Sequence, residues 1–325
     1  MPLRPSRFHC GPRVLHSATP MPLDHPDIRD LGRLELLARQ VVEGFLIGLH
    51  KSPFHGFSVE FAEHRLYNPG DSLRNVDWKV FARSDRMFVK RYEEETNLRC
   101  QLVVDASSSM YFPGERDDEH NKLVFSAQAA AALMYLLQRQ RDAFGLTTYA
   151  ADIDFQSRQR ASTSHLRGLT AELERRMGDY AAGRPSHTAE ALHAVAETLH
   201  KRSLVFVFSD FFGEEGDLDE LFGALQHLKH NKHEVVLFQV TDRRHELAFE
   251  YGNRPTEFVD METGERVKLQ PAEVADHYRR SVAEQQARLR DTCLQYKVDL
   301  VEADTRAGFR PILQSYLLKR GRMRA

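Results

Sequence analysis

Five oxygen-bearing residues fall in a pattern that suits a hard metal ion: Asp105, Ser107, Ser109, Thr188 and Asp210. The run Asp105-Ala106-Ser107-Ser108-Ser109 offers one carboxylate and two hydroxyls at alternate positions. Thr188 stands where a helix is predicted to open, and Asp210 follows Ser209 at the end of the apolar run Leu204 to Phe208. Oxygen donors without thiolate or imidazole select Mg2+, Mn2+ or Ca2+ over zinc. Two carboxylates at most, with hydroxyls otherwise, leave such an ion incompletely neutralised, so it attracts a carboxylate from outside. That chemistry holds a partner and breaks no bond. In the simpler alternative Asp105 and the serines cap the following turn and bind nothing.

The elements that must position these groups read as alternating strands and helices. Leu102-Val103-Val104 is a buried-strand run, followed by a helix over about 121–141 and a strand over 144–149. An antiparallel edge strand is expected at 152–156. Helices are expected at 163–177, 188–200 and 218–230, and buried strands at 204–208 and 235–240. A hairpin over 257–269, a long helix over 271–296, a strand over 298–302 and a helix over 309–319 complete the chain. Alternation of this kind predicts an α/β fold, a doubly wound, mostly parallel sheet with helices on both faces. Ligands then bind beyond the carboxyl ends of the strands, where the strand order reverses.

Upstream the character differs. Residues 1–28, rich in proline, read as a disordered tail, and Met21-Pro22-Leu23 echoes Met1-Pro2-Leu3, so Met21 is a second candidate start. Residues 29–97 read as a helix (Asp30 to Gly48) plus a small β-rich subdomain with a strand at 57–61, another at 87–92 and helical pieces around 73–83. The main domain is expected over 98–321.

The set Asp105-x-Ser107-x-Ser109, Thr188, Asp210 resembles, position for position, the metal-ion-dependent adhesion site of von Willebrand factor A domains. The upstream pieces Pro69-Gly70-Asp71, Val76-Asp77-Trp78, Ala82-Arg83 and Glu93-Glu94-Glu95 occur in order just before it. Together they resemble the bacterial family known as domain of unknown function 58, over residues 29 to 320. That resemblance implies a von Willebrand factor A-like fold, a metal-held protein contact and association with MoxR-type AAA+ ATPases. The function expected is an adaptor or chaperone-like partner of such an ATPase. Two other readings remain: a Mg2+-dependent enzyme acting on phosphoesters, and a scaffold whose metal site is idle.

Composition narrows the classes. The 325 residues are 42% hydrophobic and 28% charged, with a formal net charge of -2, which favours neither nucleic acid nor an anionic membrane surface. Three scattered cysteines (Cys10, Cys100, Cys293) fit a reducing, cytoplasmic compartment, with Cys100 and Cys293 buried. No apolar run is long enough to span a bilayer. Neither a Gly-x-Ser-x-Gly elbow nor a phosphate-binding GxxxxGK[ST] loop is present. His227, His230 and His233 read as solvated histidines at a helix end, and His50 and His55 as loop residues. Asp71, Arg74, Asp77 and Arg83 read as ion pairs around Trp78, with Arg65 and Arg83 as alternative contacts for an acidic ligand.

Overall fold

The computed structural model describes residues 8–9, 33–50, 64–66, 81–83, 86–90, 98–113, 121–212 and 217–324. The chain divides into two compact units, residues 1–43 with 98–325, and residues 44–97. The first part of the helix expected with the small subdomain therefore belongs to the larger unit.

The strands are β1 (Phe8–His9), β2 (His64–Leu66), β3 (Phe88–Lys90), β4 (Arg99–Asp105), β5 (Ala143–Tyr149), β6 (Ile153–Gln156), β7 (Leu204–Ser209), β8 (Glu234–Thr241), β9 (Thr256–Asp260), β10 (Arg266–Leu269) and β11 (Asp299–Asp304). The helices are α1 (Arg33–His50), α2 (Lys122–Arg139), α3 (Thr163–Gly178), α4 (Thr188–Thr198), α5 (Asp217–His230), α6 (Pro271–Gln295) and α7 (Arg310–Arg324).

The main sheet has the order β11-β8-β7-β4-β5-β6. All neighbours are parallel except β6, which runs antiparallel on the edge beside β5, as expected from its alternating sequence. Central strands are apolar on both sides because both sides are covered. Val103, Val205, Val207, Val235 and Leu237 pack against α4, α5 and Leu289 and Cys293 of α6. On the other face, the ring of Phe206 meets Tyr316 of α7, and Phe125 of α2 stacks on Phe309. Ala129 to Ala132 in α2 are fully buried, and their small side chains let the helix lie close to its neighbours.

Local chemistry fixes the helix starts. Asn121 caps α2, its side chain accepting from the amides of Leu123 and Val124. Pro271 opens α6, where its missing N–H costs nothing. Leu34, Ala38 and Val42 form the buried stripe of α1, and a first-turn amide, Leu34 N, donates to Glu174 at 2.7 Å.

The expected hairpin is β9-β10. Phe8–His9, inside the stretch read as a tail, pairs antiparallel with β9; the rest of residues 1–28 lies outside the described residues. In the smaller unit β2 pairs antiparallel with β3. The expected strand at 57–61 lies outside the described residues, as do Asp71, Arg74, Asp77 and Trp78. No helix among the described residues is long and apolar enough to cross a membrane.

Candidate metal centre

Going along the sheet, β4 has β5 on one side and β7 on the other, and the chain visits β5 and β6 before returning to β7. The strand order therefore reverses at β4, and the crevice lies beyond the ends of β4 and β7. Asp105 is the last residue of β4 and Ser209 the last of β7.

Asp105 is fully buried. Its Oδ1 accepts from the amide of Ser107 at 2.9 Å, which bends the chain into the short turn Ser108–Tyr111. Within that turn the serines diverge. Ser107 and Ser109 place their hydroxyls side by side, 3.1 Å apart. Ser108 faces the other way, donating to the Ala181 carbonyl and accepting from the Arg184 amide, both at 2.8 Å. The alternate spacing thus sets two hydroxyls against each other and spends the middle one on anchoring a neighbouring loop.

That loop brings in Thr188. Ser186 Oγ donates to Asp105 Oδ2 at 2.7 Å and lies 3.0 Å from Thr188 Oγ1. The phenol of Tyr149, at the end of β5, is 3.0 Å from the same Thr188 oxygen. From β7, Ser209 Oγ donates to Asp105 Oδ2 at 2.8 Å. Asp210 follows, its Oδ1 accepting from Phe212 N at 3.1 Å and its Oδ2 from Lys122 Nζ at 2.7 Å. Between them Phe211 adopts a left-handed backbone, φ 53°, a conformation costly for a bulky residue and found where surrounding structure enforces it.

The electrostatics are those of crowded, buried acids. Burial holds the Asp105 carboxyl above its usual range, and the charge of Asp210 adds to this; hydrogen bonds from Ser186 and Ser107 oppose it. Burial also raises the Tyr149 phenol well above its ordinary value, with Asp105 adding to the shift. Lys122 is fully buried, yet Asp210 and Glu246 more than offset its desolvation and hold it charged.

A family model described as "Protein of unknown function DUF58" matches residues 63–288, most of the main domain and part of the smaller unit. The chain belongs to the DUF58 family. An uncharacterized protein of Mycobacterium tuberculosis is 28% identical over 237 residues, 72% of this chain and 72% of that one. Among solved structures, BatB from Bacteroides thetaiotaomicron has a TM-score of 0.36 at 12% identity, covering 67% of this chain and 98% of that one. An aerotolerance-related membrane protein from Bacteroides fragilis has a TM-score of 0.44 at 13% identity, covering 67% and 97%. The architecture of the DUF58 chain rests on its own strand order, not on these likenesses.

All five residues expected from sequence belong to one connected cluster around Asp105. Ser107 binds it directly, Ser109 through Ser107, Thr188 through Ser186, and Asp210 is the residue after Ser209 and lies close enough for its charge to reach it. The donor set fits a hard divalent cation: it is all oxygen, hydroxyl-rich, and contains two buried like-charged carboxylates that a cation would relieve. Among the described residues no group of three or more His, Cys, Asp or Glu is placed to hold an ion, so the cluster's case rests on its hydroxyls.

Sequence reasoning missed Ser186, Tyr149, Lys122 and Glu246. Ser186 carried a weak signal, one position removed from Thr188. Lys122 carried a stronger one: a lysine in the first turn of an apolar helix opposes the helix dipole and needs acidic partners. His233 corrects an expectation. It is buried, not solvated, and its Nδ1 accepts from the amide of Ser203 at 3.2 Å, because the chain turns inward at Lys232 to start β8. His227 does sit near the surface, 3.0 Å from His193. His55 and Glu93 to Glu95 lie outside the described residues.

Proposed function

We propose that this protein is a metal-dependent protein-interaction module. Asp105, Ser107, Ser109, Thr188 and Asp210 hold a hard divalent cation directly or through water, Mg2+ foremost and Mn2+ or Ca2+ as alternatives. An Asp or Glu of a protein partner completes the shell. The observation that carries this reading is the convergence on one buried carboxylate: Asp105 Oδ2 receives hydroxyls from the ends of two other segments, Ser186 and Ser209.

A cavity of about 210 Å³ lies against this cluster, lined by Ser186, Thr188, Ser209, Asp210, Phe211 and Phe212 among others. Its polar end supports the approach of a carboxylate and its phenylalanines the stem of the side chain that carries it. Binding is favoured over catalysis by how the groups are engaged. The Lys122 ammonium is committed to Asp210 and Glu246, which leaves it poorly placed as a proton carrier.

The partner we propose is a MoxR-type AAA+ ATPase in the cytoplasm, which follows from the family resemblance and the sparse cysteines. The test is binding of the purified ATPase from the same organism to the immobilised chain. Capture in Mg2+, lost with EDTA and with Asp105→Ala, is expected. Equal capture in all three conditions would remove the metal from the account.

A further inference from the structure

Lys122 has no role in the proposed contact, yet it is a fully buried charge held by two carboxylates. It is fully buried at the first position of α2, where the helix dipole already disfavours a cation. Its Nζ donates to Asp210 Oδ2 at 2.7 Å and to Glu246 Oε1 at 2.6 Å, and lies 5.9 Å from the ring centres of Phe112 and of Phe212. Glu246 is itself fixed, its Oε2 accepting from Asp242 N at 2.8 Å. Asp242 caps the segment Arg243–Leu247 and lies 3.4 Å from Arg306.

A buried ion pair of this kind adds little net stability over a well-packed apolar substitute, so stability alone does not explain it. Its consequence for the cluster is direct. The ammonium occupies the Asp210 oxygen that Phe212 N leaves free. A divalent ion must share that carboxylate with a cation already in place.

Asp105, Asp210 and Glu246 against Lys122 give three carboxylates and one ammonium, a formal charge balanced by one divalent ion. We infer that Lys122, bridging Asp210 and Glu246, is a built-in counter-cation that sets the affinity of the Asp105 cluster for a divalent cation and keeps it exchangeable. This inference rests on the cation reading above. Removing the lysine charge strengthens cation binding; removing the Glu246 charge, which leaves the lysine wholly to Asp210, weakens it.

The test is calorimetric titration of the full chain with Mn2+, paired with melting curves of the metal-free protein, on wild type, Lys122→Met, Glu246→Gln and the double variant. Lys122→Met should bind Mn2+ about tenfold or more tighter than wild type, and Glu246→Gln about tenfold or more weaker, as expected of a full charge acting inside a buried site. Metal-free melting temperatures should not follow that order: Lys122→Met, with its acids unpaired, should be the least stable. A purely structural lysine would not tighten binding while loosening the fold. Should Lys122→Met fail to fold, the double variant, which leaves no Glu246 charge unpaired, must bind tighter than Glu246→Gln. Wild-type binding matched within about twofold by every folded variant overturns the role of Lys122 and leaves the cation reading standing. No Mn2+ uptake by wild type removes both.

Discussion

Asp105 is where the competing demands of this protein meet. A carboxylate that is fully buried beside Asp210 pays a desolvation cost that three hydrogen bonds only partly offset. Asp105→Asn should therefore keep the metal-free fold intact, with a melting temperature at or above wild type, while losing the stabilisation that millimolar Mg2+ or Mn2+ gives the wild type. Thermal melts with and without the ion check this. If the ion raises both melting temperatures equally, Asp105 is not a ligand. His233 sets a second residue-scale expectation. Burial holds its imidazole below the usual 6.5, so below pH 6.5 the unfolded chain takes up a proton that the folded chain refuses. Its contribution to stability is fully present above pH 6.5 and is lost as pH falls below that value. Urea unfolding from pH 7.5 to 5.5 should show stability dropping, and His233→Asn should flatten that drop. The half-buried His165, also held low by desolvation, contributes with the same sign and remains in the variant.

At the scale of elements, the strands and helices were readable because their patterns are strong: short runs apolar on both faces for β4, β7 and β8, and helical spacing for α2 to α7. The ends of these elements were less readable, and that is where the site is built. Ser186 joins the cluster through loop geometry that no periodicity encodes, and Lys122 through Asp210, 88 residues away. His233 was misjudged for the same reason, since a left-handed residue at Lys232 turns the chain inward. The elements themselves make testable demands. Gly145 in β5 leaves little room for a side chain: a Cβ there would press on the buried end of Gln101, which must shift, and lie 3.1 Å from the Ser157 carbonyl. Gly145→Ala should cost about 1–3 kcal/mol by overpacking, measured by urea unfolding. Asn121→Ala removes the cap that starts α2 and should cost about 1 kcal/mol in the same assay. A gain in cation affinity in that variant as well would mean that the start of α2 helps position Lys122 against Asp210.

For the whole molecule, sheet topology decides where chemistry is possible. The order β11-β8-β7-β4-β5-β6 puts the reversal at β4, so residues far apart in sequence share one crevice. The motif was legible because Asp105 ends β4, Thr188 begins α4 and Asp210 directly follows β7; the strand order brings these positions together. A crystal grown or soaked with Mn2+ and measured for anomalous scattering at the manganese edge addresses the account most directly. A single anomalous peak within coordination reach of the Ser107 and Ser109 hydroxyls, beside Asp105 and Thr188, is predicted. Saturating Mn2+ with no peak in that crevice would contradict it.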